Sequence, residues 1–317
     1  MLTSEQISDF YEFGYLVVED IVDRTAILEP LLNDYESLLS DLCDSWVASG
    51  DLDAKKNCGS FEDKIRAAYC AGLDYFQPLD ISLPPGDIDP DTPFHAGASI
   101  FNLITSDRLL DAIEQLIGPE ITSNPIQHVR IKPPSVELDG DELRPHITYT
   151  DWHQDRAVTL SEADNTDMVT AWVAITDATV ANGCLQVIPG SHRQSMLRHC
   201  PSPQLSIPKA EFDVESAVAL PVASGGAILF HPQTIHSSLV NVTDTIRWSF
   251  DLRYNVTGQA TGRPMFPDFV VRSKADPSSV TVNAERWRTL WEKARAKLAA
   301  EPPVVIHRWP EDSVYCA

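Results

Sequence analysis

The sequence predicts a mainly β protein, a jelly roll with flanking helices, and three observations predict it. Short apolar or alternating runs at 128–132, 168–175, 226–230 and 246–254 are separated by turn residues. Several strands punctuated in this way indicate a sandwich or barrel. The segments with helical periodicity lie outside that block, before Gly118 and after Asn283. Finally, no repeat, low-complexity tract or linker divides the 317 residues. One domain is therefore expected, with a core at about 120–256, N-terminal helices, a Pro-rich lid at 74–97, and a C-terminal helix and tail at 283–317.

Each element has a local reason. Thr3 and Gln6 have capping-box spacing, Ile7, Phe10 and Tyr11 follow at helical spacing, and Gly14 closes that helix. Residues 15–18 read as a strand. From 26 to 47, Leu28, Leu31, Leu32, Tyr35, Leu38, Leu39, Leu42 and Trp46 fall on one helical stripe. Pro78, Pro84, Pro85, Pro90 and Pro93 make 74–97 an irregular surface loop, longer than ordinary connections. A helix at 106–117 carries Leu109, Leu110, Ile113, Leu116 and Ile117 on one face, with Gly118 as its cap. The strand at 246–254 alternates, with Trp248, Phe250, Leu252 and Tyr254 on one side. Asn283 caps a last helix bearing Trp287, Leu290, Trp291, Ala294 and Leu298, and the apolar tail at 304–309 is expected to return to the body.

Composition narrows the function. Against 24 basic side chains stand 46 acidic ones, a formal charge of −22. Such a surface repels phosphate backbones and anionic membranes, and its ordinary use is solubility. No apolar run reaches the roughly 18 residues of a membrane span, and Met1–Glu5 opens no secretory signal. None of the six cysteines forms a C-x-x-C pair. A cytoplasmic protein with reduced thiols and no disulfide is expected.

The chemistry lies between 149 and 255. His153-Gln154-Asp155 would place an imidazole and a carboxylate on one face of a strand. His236, just past the 226–230 strand, offers a second imidazole. Two histidines and one carboxylate leave open positions on a metal, the set typical of non-haem iron(II) oxygen chemistry; zinc is compatible with it too. Arg247 supplies a fork suited to a carboxylate, and Ser238 a hydroxyl for the same group. H-x-D alone is also a common capping pair. Gly183, Pro189 and Gly190 shape a turn, with His192 and His231 read as structural. Arg130 and Lys132 share a face, as an anion site or a salt-bridged surface.

Ile131-Lys132-Pro133-Pro134, Trp152-His153-Gln154-Asp155, Ala171-Trp172, the run from Asn182 through Gly183 and Cys184 to His192, His236-Ser237-Ser238 and Arg247 occur in that order. With them the chain resembles the phytanoyl-CoA dioxygenase family of iron(II)- and 2-oxoglutarate-dependent oxygenases. The resemblance implies a cupin-like double-stranded β-helix with His153, Asp155 and His236 as iron ligands. It implies Arg247 and Ser238 on the distal carboxylate of 2-oxoglutarate, Trp172 beside that cosubstrate, and an earlier amide or basic residue completing its site. Gln127, Arg130 and Asn102 are the candidates for that last place, and Arg253, Arg130 and Asn102 are candidates for the substrate pocket. It implies iron, 2-oxoglutarate and O2 as reactants, with ascorbate in assay, and oxidation of a C–H bond in a small organic molecule. A carboxylate at Asp155 argues for hydroxylation or desaturation over halogenation, for which relatives carry a small residue there. No nucleic acid, membrane or protein partner is expected. Two rival readings are a non-catalytic jelly-roll binder and a cupin-like metal enzyme needing no cosubstrate.

Overall fold

Strand β9 (Arg247–Val256) explains the architecture, because its two faces differ in chemistry. Trp248, Phe250, Leu252 and Tyr254 point out of the β-barrel into the main apolar core. Arg247, Ser249, Asp251, Arg253 and Asn255 alternate with them on the opposite face. The computed structural model describes the chain except residues 85, 135–146, 202–203, 303–307, 310–315 and 317.

The other strands are β1 (Tyr15–Val18), β2 (Ile121–Lys132), β3 (Thr150–His153), β4 (Met168–Ala174), β5 (Leu185–Val187), β6 (Val218–Leu220), β7 (Ala227–Phe230), β8 (His236–Ser238) and β10 (Phe269–Arg272). One sheet has the order β1-β7-β4-β9-β2-β10 and the other β3-β8-β5-β6, every pair antiparallel. The two sheets make the double-stranded β-helix. Between them, Trp172, Leu185, Val187, Leu220, Ile228 and Phe230 cluster as an apolar plug.

The helices are α1 (Ser4–Phe13), α2 (Glu29–Ser49), α3 (Phe61–Cys70), α4 (Phe76–Leu79), α5 (Ala98–Ile104), α6 (Asp107–Ile117) and α7 (Ala284–Leu298). The capping box of Thr3 and Gln6 forms, and Asn283 caps α7. Leu31, Tyr35 and Leu39 of α2 join Leu109 and Ile113 of α6 and Trp287 and Trp291 of α7 in one core with the outward face of the large sheet. Burial of each such large side chain is worth about 1.5–3 kcal/mol, so the helices hold that sheet flat against its outer layer. Tyr254 and Tyr35 satisfy their hydroxyls on the carbonyls of Ile104 and Leu79.

Several expectations are corrected. The 74–97 segment is not a simple surface loop: it contains α4 and buries Asp80, Ile81 and Leu83. Asp80 draws it inward, accepting from the backbone N–H of Ile81 and Val129, 2.9 and 2.8 Å away. The first turn of the expected 26–47 helix is wound as a π-helix, Arg24–Leu28, before α2 begins. Helix α5 and strand β10 had no clear periodic signal, whereas α3 was missed although Phe61, Ile65, Ala68 and Tyr69 recur at helical spacing behind a Ser60–Asp63 capping box. Cysteine spacing also misled, since Cys200 and Cys316 form a disulfide across 116 positions. Only the fold brings that pair together. Arg308 and Trp309 do return to the body, bonding the carbonyls of Arg156 and Ala157, while 304–307 fall outside the described residues. Among the described residues no helix is long and apolar enough to cross a membrane.

Candidate metal centre

The two imidazoles converge because of strand register. His153 on β3 and His236 on β8 are direct cross-strand partners, so their side chains share a face. Their ring centroids lie 4.2 Å apart. Strand β3 ends at His153, and Asp155 opens a 3-10 turn, so a continuous strand does not carry the H-x-D run. Gln154 nevertheless keeps extended backbone angles, φ −117° and ψ 132°, so the alternation survives one more residue. Asp155 Oδ1 thereby lies 3.6 Å from His153 Nε2 and 3.8 Å from His236 Nε2.

The surroundings prepare these three groups for a cation. His153 Nδ1 is 2.8 Å from the Asp151 carbonyl and His236 Nδ1 is 2.9 Å from that of Thr234. A carbonyl only accepts, so each Nδ1 carries the proton and each Nε2 presents a lone pair. One donor atom from each of the three residues lies within 4.8 Å of the others. Burial pushes the His236 imidazolium down to about 3, and the nearby His153 adds to this. Burial opposes ionisation of Asp155, but the charge of Arg253 and the His153 contact hold its carboxyl well below the usual range. Arg253 straddles that carboxylate, with Nε 3.1 Å from Oδ2 and Nη2 2.5 Å from Oδ1. Thr170 Oγ1 donates to Oδ2 at 2.5 Å. Two neutral imidazoles and an ionised, clamped carboxylate, all facing one point, fit a divalent transition metal with open positions.

From this point a cavity of about 360 Å3 extends, lined by all three residues. Thr150, Trp172, Ser238 and Arg247 line it as well. Arg247 is 2 % exposed; its Nη1 donates to Ser249 Oγ at 2.7 Å, and its Nε has no hydrogen-bond partner among the described residues. Its Cζ lies 5.2 Å from the centre of the Trp172 ring, a cation–π contact. Burial brings its guanidinium down to about 10, still charged at neutral pH. An orphaned donor on a buried cation is a place for an anion. The cavity's other walls include the apolar Phe76, Leu83, Val158, Leu205 and Phe266 and the polar His128, Arg130, Gln204 and Arg263.

The remaining sequence candidates divide. Arg253 lines the cavity and grips Asp155. Arg130 also lines it, but is paired with Asp251 at 3.3 Å and lies over Phe76. Asn102 is corrected: it occupies the exposed side of α5, whose buried face is Ile100, Phe101, Leu103 and Ile104. Gln127 is corrected too. It is buried but does not line the cavity, because the β2 register slips between Asn124 and His128 and the residues presented there are Pro125, Ile126, His128 and Arg130. Arg308 and Trp309 pack on the turn after Asp155 and do not line the cavity. Thr170 and the Asp80–His128 pair escaped the sequence reading, and Lys132 entered it only as a possible anion site or salt-bridged surface residue. Thr170 is the one polar residue inside the apolar 168–175 run, and that is the signal it left.

A jelly roll with two imidazoles and a carboxylate inside it, and a buried guanidinium lining the same cavity, defines a metal-dependent oxygenase that takes an acidic cosubstrate. The model of the phytanoyl-CoA dioxygenase (PhyH) family matches residues 10–249. The chain belongs to the phytanoyl-CoA dioxygenase family, whose chemistry depends on iron(II) and 2-oxoglutarate. It is 33% identical over 275 residues to phytanoyl-CoA dioxygenase 1 of Oryza sativa subsp. japonica, covering 79% of this chain and 88% of that protein. It is 30% identical over 269 residues to phytanoyl-CoA dioxygenase domain-containing protein 1 of Rattus norvegicus, covering 78% and 88%. Among solved structures, the non-haem monooxygenase ThoJ in its apo form shares the fold, with a TM-score of 0.55 at 18% identity over 93% of this chain and 99% of that one.

Proposed function

We propose that His153, Asp155 and His236 hold the iron(II), that Arg247 and Ser238 hold the distal carboxylate of 2-oxoglutarate, and that the enzyme hydroxylates or desaturates a small organic molecule. The observation that carries this is the convergence of three ligand atoms within 4.8 Å in a cavity that a buried Arg247 also lines. Bound there, the metal would supply oxygen activation, with decarboxylation of 2-oxoglutarate to succinate and CO2. The chain's own part is to orient and to exclude water. Arg253 and Thr170 keep both oxygens of Asp155 fixed, which holds one face of the metal site rigid. Trp172 and Phe230 form dry walls beside the cosubstrate space. Phe76, Leu83, Val158 and Phe266 suit an apolar carbon skeleton, and His128 and Arg263 suit an oxygen-bearing end. A free small metabolite fits better than a bulky ester, given a volume of about 360 Å3 that the cosubstrate must share. The single-domain reading is supported by the apolar cluster that runs without a break from Phe10 to Leu298.

The test is an anaerobic titration of the iron(II)-loaded protein with 2-oxoglutarate, followed by succinate release on admitting oxygen across a panel of small acids and alcohols. Metal-dependent binding that disappears in His153→Ala supports the reading. Binding that survives His153→Ala favours a metal-free binding module, and turnover without 2-oxoglutarate favours a cosubstrate-independent metal enzyme.

A further inference from the structure

We propose that Lys132 is a positioning residue for the cosubstrate: it turns the Ser238 hydroxyl into a donor aimed at the distal carboxylate and, with Arg247, restricts this end of the cavity to diacids. This rests on the assignment of Arg247 and Ser238 made above. Lys132 ends β2, directly across from Arg247 on β9, and is 2 % exposed. Its Nζ lies 2.8 Å from Ser238 Oγ and also donates to the carbonyl of Leu239. The backbone N–H of Thr150 donates to the same Oγ at 3.1 Å. A hydroxyl has two acceptor sites and one proton, and an ammonium has donors only. Both acceptor sites of Ser238 are thus taken, and its proton is left for an acceptor in the cavity that Ser238 lines beside Arg247.

Charge points the same way. Among the described residues, no carboxylate forms a salt bridge with Lys132 or Arg247. Asp251 acts on Arg247 from a distance but is itself paired with Arg130, and two adjacent buried cations with no ion-paired carboxylate are costly until an anion arrives. Burial, and then the charge of Arg247, push the Lys132 ammonium well below its usual range, and a carboxylate would offset both. The Gly183 turn makes room for this contact. Gly183 has φ +92°, and a Cβ there would stand 2.5 Å from the Leu239 carbonyl oxygen and 2.9 Å from Lys132 Cδ. A side chain at 183 would push apart the lysine and the carbonyl it bonds, so that turn serves the cosubstrate end as well as the backbone path.

The test compares 2-oxoglutarate with 2-oxobutyrate, which lacks the distal carboxylate, by calorimetry on anaerobic iron(II)-loaded protein. In Lys132→Met the dissociation constant for 2-oxoglutarate should rise about tenfold or more, that for 2-oxobutyrate should change less than about threefold, and Lys132→Arg should recover part of the loss. Equal effects on both acids, or no effect on either, would overturn the inference while leaving the function intact. Wild-type protein that binds no 2-oxoglutarate would instead sink the function. A second measurement needs no substitution, in case Lys132→Met does not fold. In zinc-loaded protein with 15N-labelled lysine side chains, Lys132 is the one lysine among the buried residues. Its ammonium signal should shift and slow its exchange with 2-oxoglutarate and not with 2-oxobutyrate; an unchanged signal overturns the proposal.

Discussion

Replacing Thr170 by Val tests whether the carboxylate ligand is held ready by its neighbours. Thr170 sits on β4 directly across from Arg253 on β9 and Phe230 on β7, and is 1 % exposed. Its hydroxyl donates to Asp155 Oδ2 at 2.5 Å. Val keeps the shape and removes that donor. A hydrogen bond to a charged group is worth about 1.5–3 kcal/mol. Arg253 Nε stays 3.1 Å from the same oxygen and Nη2 still holds Oδ1, so the lower end applies. About 1.4 kcal/mol is a tenfold fall in metal affinity at pH 7. The loss should be nearly the same from pH 7 to 5.5, because Arg253 and His153 still hold the carboxyl ionised across that window and no proton has to be displaced from it. The assay is a chelator-competition titration of metal-free protein with cobalt(II) or iron(II) between pH 7 and 5.5, with Thr170→Ser as the control that keeps the hydroxyl. Wild-type affinity for Thr170→Val would refute the idea that Thr170 conditions Asp155.

Two further outcomes follow from the buried groups. Burial holds the imidazoles of His199 and His231 down to about 3 and about 4, so both are neutral in the native protein at neutral pH. The unfolded chain takes up these protons near pH 6.5, so their contribution is present above that pH and is lost as pH falls toward the folded values. It should cost about 2 kcal/mol per imidazole by pH 5, and urea melts of metal-free protein with equal midpoints at pH 7 and pH 5 would contradict this. The Cys200–Cys316 bond leaves Cys43, Cys58, Cys70 and Cys184 as thiols. Thiol titration of denatured, unreduced protein should count four, and reduction should lower stability by roughly 2–5 kcal/mol; a count of six would remove the staple.

What the sequence made legible was set by how local each cause is. The strand at 246–254 announced itself because period-2 alternation is a property of neighbouring residues, and its apolar side did face the helices. The caps at Thr3 and Asn283 were legible for the same reason. Helix α5, only seven residues long, gave too short a pattern, and β10 is a four-residue edge strand. The π-helical turn before α2 replaces one hydrogen-bond spacing by another without changing which residues are apolar. At the site, the ligand types could be picked out, but their juxtaposition depends on the pairing of β3 with β8, which no local pattern encodes. Gln127 failed because a register slip moved its side chain off the cavity, and a slip of this kind is invisible until the partner strand is known.

The inner face of β9 shows why the unread residues are the ones that condition the site. In a buried sheet, every second residue of β9 would be apolar on both faces if packing alone mattered. Here Arg247, Ser249, Asp251 and Arg253 stand in one row, and β2 sets Lys132, Arg130 and His128 opposite Arg247, Ser249 and Asp251. Strand β4 places Thr170 across from Arg253 and Trp172 across from Asp251. Each of these polar groups is costly to bury alone and becomes tolerable only through a neighbour from another strand or through a ligand. Arg253 has Asp155 and the Ile126 carbonyl, and Arg130 has Asp251. Arg247 is left with a buried Nε that no described residue satisfies. The stability of the sheet and the affinity for an acidic cosubstrate are therefore linked. Polar burial that strands β2 and β4 can balance builds the metal end, and the part they leave unbalanced defines where the second carboxylate goes.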